Sequence, residues 1–295
     1  MPPSRLREAL SFFVSSLPIA VVDFIKLLLP AITTMRVGHQ GATAVDLAGA
    51  SVGVLTFNIA GNMIMTAPLN AMDSVAPQSY GAGNRQGVGL AAQRAIIIAI
   101  VFLLPTAPLW MFAESILITF GQPADVASFG ARYMRLLLPG LLPFGVFEAT
   151  RKFVYAQGLR TPPLFAALVG LIAHFAWLEL WCRTVGVGVG APLALSSTYC
   201  TLAVVMVLHV RSGWHMPHAM ACWPRGAMRH LLWHDRAAWK RMVVISLSAL
   251  VSLSEWLFWE VNCFRVGRVR ARARRRARQP ARRGSLQRCA PPAPP

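Results

Sequence analysis

Long, nearly unbroken apolar runs separated by short polar punctuation make up most of this chain. Residues 95–113, "AIIIAIVFLLPTAPLWMFA", contain no charged residue and are long enough to cross a hydrocarbon core of about 30 Å. The pattern predicts seven spans, near 9–34, 46–70, 95–113, 134–156, 163–182, 187–210 and 242–264. Several contain proline: Pro18, Pro30, Pro68, Pro105, Pro108, Pro139 and Pro143. Membrane helices tolerate proline where neighbouring helices, side chains or waters satisfy the freed carbonyls. The connections are short, so the expected fold is an all-α polytopic membrane protein without a separate soluble domain.

A polar stripe interrupts span two. Asn58, Asn62, Thr66, Asn70 and Asp73 are spaced four, four, four and three apart, so at 100° per residue they share one slowly drifting face. Polar groups facing lipid are costly, which predicts that the stripe lines a cavity and a substrate path. A hydrogen-bonded seam between helices is the alternative.

Composition sharpens the membrane reading. Hydrophobic residues are 55% of the 295 and charged residues 14%, with a mean hydropathy of +0.50; a soluble domain carries about a quarter charged residues. The apolar stretch after "MPPSRLREAL" is too long for a signal-peptide core and holds Asp23 and Lys26, so no cleaved signal is expected. The five cysteines show no CxxC spacing, and neither a disulfide framework nor a metal site is expected. With no HExxH, GxSxG or P-loop, the chain is not expected to be an enzyme or to hold a cofactor.

The basic residues cluster in alternate loops: Arg5 and Arg7, then Arg85 and Arg94, then Arg151, Lys152 and Arg160, then Arg211 to Arg241. The positive-inside bias makes these loops and the N-terminus cytoplasmic. From Arg265 the character changes to eleven arginines with no acid, without which the formal charge falls from +18 to about +7. Such a run is expected to be disordered and to attract anionic lipid. It lacks interleaved aromatics, so no specific nucleic-acid partner is expected.

Residues 71–83 read A-x-D-S-x-x-x-Q-x-x-G-A-G, with Asp73, Gln78, Gly81 and Gly83. This closely resembles a signature of the multidrug and toxic compound extrusion (MATE) family, eukaryotic branch. Further matches follow in order: "QRA" (93–95), "FGQPADVA" (120–127), "YMRLLLPG" (133–140), "FEATRKFVYAQG" (147–158), "VGVGAPLA" (187–194) and "SLSEWLFWE" (252–260), with "LP…VGHQG" (17–41) framing span one. The resemblance covers about residues 10–264. It implies a secondary antiporter with two six-helix lobes that exports organic cations and other xenobiotics in exchange for H⁺ or Na⁺. The expected membrane is vacuolar or plasma membrane.

The expected organisation is a cytoplasmic N-terminus (1–8), a six-helix lobe (9–212), a cytoplasmic inter-lobe linker (213–241), the first helix of a second lobe (242–264) and an Arg/Pro-rich disordered tail (265–295). The match stops where the charge changes, so a truncated, incomplete form is expected, with 242–264 failing to span stably. A half-length membrane protein that pairs with a full transporter without transporting is the alternative.

The resemblance assigns cation coupling to acids in span seven, Glu255 and Glu260; Trp256 and Trp259, which flank them, are candidate cation–π faces, with plain packing the alternative. Thr33 stands where prokaryotic relatives carry an ion-binding acid. Asp73 and Gln78 are expected at the cytoplasmic end of span two and its turn. There Gly81 and Gly83 permit reversal, and Asp73 accepts backbone N–H bonds or pairs with Arg94. Two further pairs, Asp23 with Lys26 and Glu148 with Arg151 or Lys152, are expected to be structural. Trp177, Trp181 and Trp214 are expected as interfacial anchors.

Overall fold

Caps and prolines set where the helices of this chain start and stop. A computed structural model describes residues 5–39, 43–213, 222–223, 233–253 and 255. Helix α1 runs Arg5–His39. Helix α2, Ala44–Phe57, opens on a capping box in which the Thr43 hydroxyl accepts from the Asp46 N–H and the Asp46 carboxylate accepts from the Thr43 N–H. A π-helical turn, Asn58–Asn62, joins it without a break to α3, Met63–Gly81. After a turn, the Asn84 side chain accepts from the Gly87 N–H and starts α4, Arg85–Leu103. Pro105 and Pro108 then break the chain into a 3₁₀ turn and the short helices α5, Ala107–Met111, and α6, Ala113–Thr119. Helices α7 (Ala124–Tyr155), α8 (Thr161–Val185) and α9 (Val187–Ser212) complete a bundle. A further helix, α10, occupies residues 236–250.

The chain divides into two compact units, Met1–Leu250 and Val251–Pro295. In the second unit only 251–253 and 255 are described, and they are helical. Glu260, Trp256, Trp259 and the 265–295 tail lie outside the described residues.

Among the described residues, five helical stretches are long and apolar enough to cross a membrane: Leu10–His39, Ala44–Gly81, Arg85–Met111, Thr161–Val185 and Val187–Ser212. The expected fourth span, 134–156, belongs to α7. At 32 residues this helix is about 48 Å long, but it carries Glu148, Arg151 and Lys152. Those three side chains are buried, because α7 is the central helix against which α2 and α9 pack. Span two is longer than expected, since the helix continues through Asp73 and Gln78 to Gly81. Span three starts ten residues earlier than 95, at Arg85, because the short polar lead-in is itself helical and buries Arg94.

Small residues let the helices meet closely, as expected where lipid offers no hydrophobic drive for association. Gly49 and Gly53 of α2 face Gly130 of α7; a methyl group at Gly53 would lie 2.8 Å from the Gly130 carbonyl oxygen. The Ser196 hydroxyl of α9 donates to the Leu136 carbonyl at 3.1 Å, beside Pro139 of α7. Large apolar side chains such as Phe12, Phe13, Phe24, Leu27 and Met35 point outward from α1, the arrangement a hydrocarbon solvent favours.

Candidate functional site

Among the described residues, polar groups inside the bundle gather in clusters. The first is the stripe along α2 and α3. The Asn62 carboxamide N–H donates to the Asn58 side-chain oxygen at 3.4 Å, and the Thr66 hydroxyl donates to the Asn62 carbonyl at 2.8 Å. The π turn between Asn58 and Asn62 rotates α3 relative to α2, so the stripe does not drift as a single α-helix would. The Trp110 indole N–H reaches into this turn and donates to the Ala60 carbonyl at 2.9 Å. Asn58, Asn62, Thr66 and Asn70 are all half-buried. The Asn62 side-chain oxygen is buried and accepts no hydrogen bond among the described residues, a cost of about 1–3 kcal/mol unless water or a ligand supplies a donor or positive charge.

The second cluster is ionic. Asp23 and Lys26 of α1 meet Glu148 and Arg151 of α7 in one four-membered, charge-neutral network. Lys26 lies 3.2 Å from Asp23 and 2.7 Å from Glu148. Arg151 lies 3.0 Å from Asp23 and 2.6 Å from Glu148. The Lys26–Glu148 approach is an ion pair outside hydrogen-bond geometry at that carboxylate oxygen. Arg151 also lies over the Tyr155 ring, 5.3 Å from its centroid. The local i, i+3 pairs read from the sequence are therefore two halves of a tertiary clamp.

Lys152, one residue on, points elsewhere and pairs with Asp73 at 2.6 Å. This differs from the expected Asp73–Arg94 partnership: Arg94 lies 3.6 Å from Asp235 instead. Gln78 is helical rather than part of the turn, and its side-chain oxygen accepts from Arg241 at 2.7 Å. Of the two glycines, Gly83 makes the reversal with φ +77°, while Gly81 is the last residue of α3. Arg94, Lys152, Asp235 and Arg241 thus gather at one end of the bundle and tie α3, α4, α7 and the segment after α9 together.

The third cluster surrounds His174, fully buried on α8. Its ring nitrogens lie 3.2 Å from the Thr33 hydroxyl and 2.8 Å from the Thr198 hydroxyl. Each hydroxyl is also 2.8 Å from the carbonyl four residues before it, Leu29 or Ala194. One hydroxyl proton cannot serve the ring and the carbonyl together, so the threonine rotors are coupled to the histidine's protonation. Nearby, Trp177 and Trp181 donate to Thr201 at 3.1 Å and Ser197 at 3.0 Å across the α8–α9 interface. Both indoles thus fasten α8 to α9; Trp214 lies outside the described residues. Glu255 is helical and exposed.

Sequence reasoning missed the partners Lys152–Asp73, Arg94–Asp235 and Thr33–His174. A general signal existed, because a charge or imidazole inside a span demands a partner. No local spacing could say which one.

A family model described as MatE matches residues 18–177. Among curated relatives, an uncharacterized transporter of Schizosaccharomyces pombe is 32% identical over 60% of this chain and 33% of its own length. Protein DETOXIFICATION 3 of Arabidopsis thaliana is 30% identical over 67% of this chain and 42% of its own. Protein DETOXIFICATION 16 of the same plant is 26% identical over 82% and 48%. The crystal structure of the eukaryotic MATE transporter AtDTX14 superposes with a TM-score of 0.74 at 20% identity, covering 87% of this chain and 56% of that one; the likeness is one of fold. The chain spans between 33% and 48% of the length of the curated relatives it matches.

Proposed function

The chain belongs to the MatE family, and on that premise we propose that this integral membrane protein supplies a lobe of an antiporter. The antiporter exports organic cations and related xenobiotics in exchange for H⁺ or Na⁺. The observation that carries the reading is the Asn62 amide oxygen, buried in mid-span at a π turn with no donor among the described residues. A cation passing along the Asn58–Asn70 face would find a preformed dipole there. Glu255 and Glu260 are the acids that the family resemblance assigns to the coupling ion, with ion and cationic substrate competing for the same carboxylates. Alternating access needs a second lobe to rock against.

The basic side chains Arg94, Lys152 and Arg241 share one end of the bundle, which supports a cytoplasmic placement for that end and for the N-terminus.

Binding of ethidium, a fluorescent organic cation, to the purified chain tests the first reading. Asn62→Leu is expected to weaken binding about tenfold, and unchanged affinity would remove the stripe from the path.

A further inference from the structure

A groove of about 260 Å³ lies between α4, α7 and α9 at the basic end of the bundle. Its walls are apolar, formed by Ile96 of α4, Phe153 of α7, Val207 and Val210 of α9, and Trp223. Arg211 stands at the rim. It is exposed and forms no ion pair among the described residues. The apolar stretch of α9 ends at Ser212, so Arg211 sits at the level where hydrocarbon gives way to headgroups. Trp223 meets Phe153 edge-on, with ring centroids 5.7 Å apart, and an indole at that depth is typical of the interfacial layer.

The described residues between 211 and 241 are mostly basic where they are charged: Arg211, Arg236, Lys240 and Arg241 against a single acid, Asp235. Asp235 is already opposite Arg94, at 3.6 Å. A second open groove, between α1 and α2, is lined by residues such as Met35, Leu47 and Val54 and contains no lysine or arginine. Water in the α4–α7–α9 groove would find few hydrogen-bond partners, whereas an acyl chain would be at home there.

We propose that this groove holds one anionic phospholipid of the surrounding leaflet, its acyl chain along Ile96, Phe153 and Val207 and its phosphate at Arg211. The bound lipid bridges α4 and α9, which otherwise meet through α7. Its headgroup neutralises part of the positive field at that end.

Native mass spectrometry of the full purified chain, titrated with phosphatidylglycerol or phosphatidylcholine of matched acyl chains, tests the site. One phosphatidylglycerol is expected to be retained at least fivefold more tightly, the order that one basic side chain near an anionic surface provides. Arg211→Gln is expected to remove that preference. Arg160→Gln, an equal loss of charge at an exposed position outside the groove, should leave it intact. Thr150→Phe, which fills the groove from a half-exposed lining position, should lower retention of both lipids. Should that variant fold poorly, the arginine pair still decides. Equal retention of the two lipids by the wild type would overturn the proposal. So would equal effects of the two arginine variants, or retention of inorganic phosphate in competition with phosphatidylglycerol.

Discussion

Lys26 on α1 sits 2.7 Å from Glu148 on α7, and through this contact an outer helix with most of its surface turned outward is held to the centre of the lobe. Glu148 is 2% exposed and answers both Lys26 and Arg151. Removing it leaves a buried Arg151 and a half-buried Lys26 with only Asp23 between them. Glu148→Ala should therefore cost about 3–5 kcal/mol, read as a fall in the thermal midpoint of the detergent-solubilised protein. Asp23→Asn should cost less than Glu148→Ala, because Glu148 still answers both Lys26 and Arg151.

The Lys152–Asp73 pair carries an asymmetry that a mutant cycle can read. Lys152 is 6% exposed and Asp73 57%. Asp73→Asn strands a buried ammonium, while Lys152→Met leaves a carboxylate that water can solvate. The first change should destabilise more than the second, and the double variant should recover most of the difference. Equal single losses would mean that Lys152 reaches water by another route.

Much of the bundle was legible from the chain, and the reason is physical. Lipid imposes long apolar runs, and these are written locally. The π turn at Asn58–Asn62 was not legible, because it depends on how α2 and α3 each meet α7. The pairing of Asp73 was misread for a related cause. Arg94 is near it in sequence, but α4 turns that side chain toward Asp235, and Lys152 arrives from 79 residues away. His174 carries no local signal of its role, since Thr33 and Thr198 become its neighbours only after α1, α8 and α9 assemble.

The glycines offer a contrast on one scaffold. A methyl group at Gly53 would press on the backbone of α7, which cannot yield as a side chain would. Gly53→Val should abolish monodisperse protein on size-exclusion chromatography. Gly81 is helical with nothing within 4 Å of an added methyl group, so Gly81→Ala should be neutral or stabilise by up to about 1 kcal/mol.

Coupling separates the two groups of acids. In a two-lobed assembly, Glu255→Gln should reduce gradient-driven cation export more than Asp23→Asn, because Asp23 is engaged by Lys26 and Arg151. Export measured in vesicles with an imposed pH or Na⁺ gradient checks this, and equal losses would give α1 a coupling role.

The central claim is that this chain acts as a lobe of a two-lobed antiporter. It is tested by expressing the chain in efflux-deficient bacteria, alone and together with the second lobe of a DETOXIFICATION relative, and following ethidium accumulation. The relative's own two halves, expressed separately, serve as the reference. The account predicts little export by either partner alone and gradient-dependent export when both are present. Export by this chain alone would contradict it, as would no export by the pair while the reference halves complement each other.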